Sequence, residues 1–335
     1  MAFYLIIFSI LFLPSFFKSK IPFYFSAGLL IFIAGSRTVD VGTDTYSYFH
    51  IFNEAQQDLN RFEIGWYILN IICGSIYDNF NFFLFVVSAV TIGCVCFVLR
   101  RETPNVQFGL SLYYVFCFCI SINIMRQFLA ISIVYIGLSY LSKNKVGKFI
   151  FFVGLASLFH GSALFALIAL ISRYISLKLK IMCVLISISV VLGFFMNDRV
   201  MELISFNYFD YIEAGGKNSY KENFGLIGIS LSFISFLLIY LMCKKNENNT
   251  FWLKILFLNL LVSCLLFRIQ LGGRLNYYFT ISSIILYSRY FLVIGVQRYL
   301  IPVLILVLLR FVKDLMSMSS ADAVTAIPYR SIFFQ

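Results

Sequence analysis

Apolar runs close to the length of a membrane crossing recur along this chain from end to end. AFYLIIFSILFLPSFF stands at residues 2–17, FFLFVVSAVTIGCVCFVL at 82–99 and IMCVLISISVVLGFF at 181–195, and the pattern continues past residue 300. About 20 such residues, rising about 1.5 Å each in a helix, cross a hydrocarbon core about 30 Å thick. Inside that core every backbone N–H and C=O needs a partner within the protein, so only helices or a closed barrel can span it. A barrel would show short alternating segments, and these runs are continuous. With 61% of its 335 residues hydrophobic and 12% charged, the chain has more apolar surface than a soluble core can hide. The fold class is all-α: a polytopic membrane helical bundle.

Candidate segments lie near 3–17, 21–36, 64–77, 81–99, 107–122, 125–142, 149–171, 181–196, 224–243, 251–267, 275–289 and 291–311, about 10–12 in all. There is no internal repeat and no linker, so residues 1–335 read as one integral membrane domain. The first stretch lacks a basic start and a small-residue cleavage pattern and reads as a retained helix. The net charge of +11 comes from small basic groups between apolar runs, which points to orientation in a membrane rather than to nucleic acid. The eight cysteines sit almost all inside apolar runs and read as free packing residues.

Lys18/Lys20, Arg100/Arg101, Lys143/Lys145/Lys148, Arg173/Lys178/Lys180 and Lys244/Lys245 mark cytoplasmic ends by the positive-inside rule. That places the loops near 37–62 and 197–223 outside, with Asn123–Gln127 and the turn 268–274. It also creates two parity conflicts. Segment 64–77 would start and end outside, and segment 149–171 would start and end inside, with a tip at FHGSA. Both then read as re-entrant or interfacial. The alternative makes 64–77 a true span, with the opening loop and the N-terminus inside.

Charged and polar groups are costly at membrane depth, so they tend to face a cavity or a partner. Asn123, Arg126 and Gln127 fall at i, i+3 and i+4 on one helix face. His160 has no charged neighbour for ten residues on either side; it reads either as a packing residue or as a general base or diphosphate contact. Arg268 and Arg274 bracket Gly272-Gly273, with Tyr278 four residues on: a phosphate grip, or helix-end arginines reaching for headgroups. Arg37, Asp40 and Asp44 stand in the opening loop, and Glu63 follows. Loop 197–223 mixes aromatics with Asp, Glu and Asn, a composition that suits sugar rings and equally an interfacial anchor. No P-loop, GxGxxG, D-x-D or HExxH occurs, so the chemistry expected is free of metal and cofactor.

SRTVDVGTDTYSYFHIF followed by FEIGWYIL, then NIMRQFLAISIVYIGLSYL, KNKVGKFIFFVGLASLFHGSALF and IPYRSIF, resembles the EpsG family of bacterial polysaccharide polymerases, which includes many O-antigen polymerases of the Wzy type. The resemblance implies an enzyme of the bacterial inner membrane, a multi-pass glycosyltransferase. It would join undecaprenyl-diphosphate-linked repeat units into a surface polysaccharide at the outer face, with a chain-length regulator as partner. The family's R-x-x-x-x-G-T-D falls on Arg37 and Asp44, its R-Q on Arg126 and Gln127, and its F-H-x-S on His160 and Ser162. Glycosyl transfer needs a base for the attacking hydroxyl: Asp44, the first choice, or His160. It needs cations for the departing diphosphate, for which Arg126, Arg268 and Arg274 are candidates, with Arg37 next. A flippase for the same lipid is the rival reading, and a membrane acyltransferase the second; the latter would want an acid beside His160, and the sequence around it offers none.

Overall fold

The computed structural model describes residues 2–17, 20–42, 44–54, 63–196, 225–243, 250–269, 272–291, 293, 299–317 and 327–333. The loop expected at 197–223 and part of the opening loop, 55–62, lie outside the described residues. Among the described residues all the regular elements are helices, an all-α membrane fold. In order come α1 (Ala2–Phe12), α2 (Ile21–Gly35), α3 (Thr45–Glu54), α4 (Ile64–Ile76), α5 (Phe80–Glu102), α6 (Val106–Tyr113), α7 (Cys119–Asn123), α8 (Met125–Leu141) and α9 (Val146–Ser157). Then follow α10 (Leu179–Phe195), α11 (Gly225–Cys243), α12 (Thr250–Leu266), α13 (Gly272–Tyr290) and α14 (Leu300–Ser317). A π-helical turn, Tyr114–Phe118, joins α6 to α7, and a 3₁₀ helix runs over Gly161–Arg173. Among the described residues no disulfide joins any of the eight cysteines.

Two compact units form: Met1–Leu167 with Tyr287–Phe291 and Val307–Gln335, and Ile168–Leu286 with Leu292–Leu306. The first has two distinct ends. At one, the Asn81 side chain, a residue into α5, donates to the carbonyls of Gly35 (3.0 Å) and Arg37 (2.9 Å) at the end of α2. The chain's last described segment returns to the same place. Tyr329 Oη donates to Ile33 O at 2.8 Å, Thr38 N to Arg330 O at 3.1 Å, and Ile332 N to Ser36 O at 2.9 Å. At the opposite end lie Arg100–Glu102 of α5, the loop from α8 to α9, and Arg289.

This geometry places both ends of α4 at the Arg37 end. Its first residues adjoin Glu63, which bonds the start of α8; its last are followed within a few residues by Asn81. Phe80 and Phe83 of α5 pack against Phe52 of α3, and Phe83 packs against Trp66 of α4. Segment 149–171 is not one continuous helix. It breaks after Ser157 and resumes as the 3₁₀ helix at Gly161.

That 3₁₀ helix has thirteen residues, whereas runs beyond 3–4 are uncommon. At three residues per turn, positions three apart eclipse one another. The buried row is Ala163, Ala166, Ala169 and Ser172, small side chains that stack without collision. At about 2.0 Å per residue the helix reaches about 26 Å.

Candidate functional site

The break between α7 and α8 falls at Ile124, whose ψ of 53° departs from helix. Asn123 therefore ends one helix while Arg126 and Gln127 begin the next, so the three do not share a single helical face as the spacing suggested. The opening loop packs against this break. Gly42 has φ +99°, and a Cβ there would meet Asn123 Oδ1 at 2.7 Å and Ile122 O at 3.3 Å. Only glycine adopts that backbone readily, which explains the G of the V-G-T-D stretch. Asp44, half-buried, opens the turn into α3.

Glu63 is the hub of the site. It stands just before α4, and its carboxylate takes three donors. Arg126 Nη1 donates to Oε2 at 3.0 Å, and Gly161 N donates to Oε1 at 3.0 Å. His160 Nδ1 lies 3.1 Å from Oε1. Burial alone would raise the carboxyl. The bond from His160, the Arg126 charge and the Gly161 N–H outweigh it and lower the pKa from 4.5 to about 2. Glu63 is thus a carboxylate at neutral pH and an acceptor only. His160 Nδ1 must then carry the hydrogen, and in neutral imidazole Nε2 is left with its lone pair. Side-chain exposures of 15% for Arg126, 19% for His160 and 27% for Glu63 leave the cluster within reach of a ligand while shielded from bulk water.

Sequence spacing gave no direct sign of this arrangement, because Glu63 and His160 are 97 residues apart. The signal available was the FEIGWY stretch. Gly65 explains its glycine: its N–H donates to Leu158 O at 2.8 Å, and a Cβ there would sit 2.7 Å from the same carbonyl. Gln127, buried, reaches Ser162 Oγ at 3.4 Å. The acid missing from the sequence around His160 is therefore supplied across space.

Arg37 belongs to the same end but points inward. It is 1% exposed, and its guanidinium donates to the carbonyls of Ala34 and of Ile122 (3.2 Å) and contacts Met125 Sδ at 3.5 Å. It ties the end of α2 to the break before α8. In the second unit, Arg268 is exposed and its Nη1 donates to Phe194 O at 2.6 Å, bonding a carbonyl at the end of α10. Arg274 is half-buried in the first turn of α13, and Tyr278 is fully buried. Gly272 sits where α13 starts close against α12: a Cβ would meet Leu266 O at 2.6 Å.

Residues 20–331 match the family model described as the EpsG family. No curated protein and no solved structure matches the chain.

Proposed function

From the premise that this chain belongs to the EpsG family, whose members are Wzy-like polymerases, we propose that it polymerises undecaprenyl-diphosphate-linked oligosaccharide repeat units. The reaction takes place at the outer face of the bacterial inner membrane and builds a surface polysaccharide by metal-independent glycosyl transfer. The observation that carries this reading is the Glu63–His160–Arg126 cluster, built where two helices break.

In this reaction the acceptor sugar hydroxyl attacks the anomeric carbon of the donor glycan. The new C–O bond forms as the bond from C1 to the lipid diphosphate breaks, and the electron pair leaves with the diphosphate. His160 Nε2 takes the hydroxyl proton. Glu63 holds the imidazole in the required tautomer and stabilises the imidazolium that forms, as the acid of a triad does. We therefore place the base at His160 in preference to Asp44. Arg126, anchored by Glu63, offers a fixed cation to charge growing on the diphosphate. Arg37 acts one layer deeper, holding the opening loop and the α8 start in register. A single displacement of this kind inverts the anomeric centre.

The test is purified protein supplied with synthetic lipid-linked repeat units. A ladder of longer glycans is expected, and His160→Ala should reduce its rate by about 10²–10⁴. A histidine oriented by an acid also suits an acyltransferase. Modified sugars without extension would establish that reading, and translocated single units without extension would establish a flippase.

A further inference from the structure

The opposite end of the first unit carries charge that glycosyl transfer does not use. Glu102, at the end of α5, is buried. Its carboxylate accepts from Ser139 Oγ at 2.6 Å and from Arg289 Nη2 at 3.1 Å, with Lys143 Nζ at 3.8 Å and Arg101 Nε at 4.0 Å. One carboxylate is thus already shared among three cations. Around it stand Arg100, Lys145 and Lys148, all exposed, and no carboxylate other than Glu102 ion-pairs with this group among the described residues.

The surplus is held in shape. Arg101 lies over the Tyr140 ring at 4.4 Å and Lys148 over the same ring at 5.0 Å, while Phe152 stacks on Tyr140 at 5.5 Å. Arg100 lies over Tyr24 at 5.6 Å. Between α8 and α9 the chain turns through Asn144 at φ 57°, with Lys143 and Lys145 exposed on either side of it. Some of this charge answers the carbonyl ends of α5 and α8. That role needs cations within the last turn, which Arg100 and Arg101 supply; it does not require Lys145 and Lys148, which precede or begin α9.

We propose that this end is a binding site for the headgroup of an anionic glycerophospholipid. The phosphodiester is received by Lys145, Lys148 and Arg101, with the acyl chains along the exposed apolar flank of α9 at Ile150 and Phe151. Basic clusters at helix ends on the side facing an anionic leaflet recognise lipid in this way. The cations sit at the mouth of apolar helices, so one amphiphile satisfies both surfaces, whereas free phosphate satisfies only the charge.

The full chain, purified in neutral detergent, is titrated with phosphatidylglycerol and with phosphatidylcholine, and bound lipid is counted by native mass spectrometry. The intact chain should retain phosphatidylglycerol about tenfold better. Lys145→Gln/Lys148→Gln should bring the two lipids to within about twofold of each other. Arg330→Gln, an exposed cation at the other end, should leave the preference unchanged. Equal retention of both lipids by the intact chain would overturn the site. So would an unchanged preference in the double variant, an equal loss in Arg330→Gln, or displacement of the lipid by millimolar inorganic phosphate.

Discussion

Replacing Glu63 with glutamine keeps the shape of the hub and removes its charge, so the consequence can be worked out. A carboxyl lowered from 4.5 to about 2 corresponds to about 3 kcal/mol in favour of the ionised form, at about 1.36 kcal/mol per pH unit. The side chain is 27% exposed, and solvent screening cuts the realised contribution to about 1–2 kcal/mol. Glutamine also brings an NH₂ group to face either Arg126 or His160, donor against donor. Thermal unfolding in detergent should therefore show Glu63→Gln about 1–3 °C below the parent at neutral pH. The pH dependence is the sharper measurement. The folded-state pKa lies beneath the unfolded one, so the carboxylate stabilises the fold above pH about 4.5 and that stability is lost as pH falls toward 2. Between pH 6 and pH 3 the gap between parent and variant should shrink to less than half. In the polymerisation assay the variant should lose about 10–100-fold in kcat with KM little changed, because Glu63 acts through His160 rather than on the substrate. A stability gap that is flat or widens on acidification would refute the reasoning.

Gly65→Ala places a Cβ 2.7 Å from the Leu158 carbonyl, so it should cost about 1–3 kcal/mol and pull Glu63 away from His160; melting temperature and polymerisation rate should fall together. Ala166→Leu puts a large side chain into the eclipsed row of the 3₁₀ helix and should destabilise by a similar amount, whereas Leu164→Ala, on an exposed position of the same helix, should change the melting temperature by little. Tyr329→Phe removes a hydroxyl that donates to Ile33 O and meets Ser36 Oγ at 3.1 Å; a loss of about 1–2 kcal/mol is expected, read as a lower midpoint in chemical unfolding.

Most helices were legible because membrane solvent leaves so few alternatives: α2, α5, α8, α10 and α12 lie within a few residues of the apolar runs that announce them. The 3₁₀ geometry was not expected, although the A-x-x-A-x-x-A-x-x-S spacing carries its three-residue period openly; the same stretch also scores as an ordinary apolar helix. Arg37 and Tyr278 illustrate a different limit. Residue type alone marks them as functional, and only packing shows that both are buried, Arg37 against main chain. Arg126 and His160 were visible as polar residues in apolar surroundings, whereas the acid joining them could not be read off at a separation of 97 residues.

The two parity conflicts in the sequence contain the origin of the site. A chain that breaks a helix leaves backbone donors and acceptors without their helical partners, and they must find others. Here two broken segments satisfy each other. The N–H of Gly65, in the first turn of α4, goes to the carbonyl of Leu158 just past α9; the N–H of Gly161, opening the 3₁₀ helix, goes to the carboxylate of Glu63 just before α4. The side chains next to these exchanged bonds are Glu63 and His160 themselves, and Arg126 joins them from the start of α8, which follows the non-helical residue Ile124. Backbone satisfaction thus fixes the distance between acid and imidazole before any side-chain preference acts. Gly65 is required for the approach, since a Cβ there would sit 2.7 Å from the Leu158 carbonyl, and moving either segment by one residue would uncouple Glu63 from His160 while leaving every helix intact.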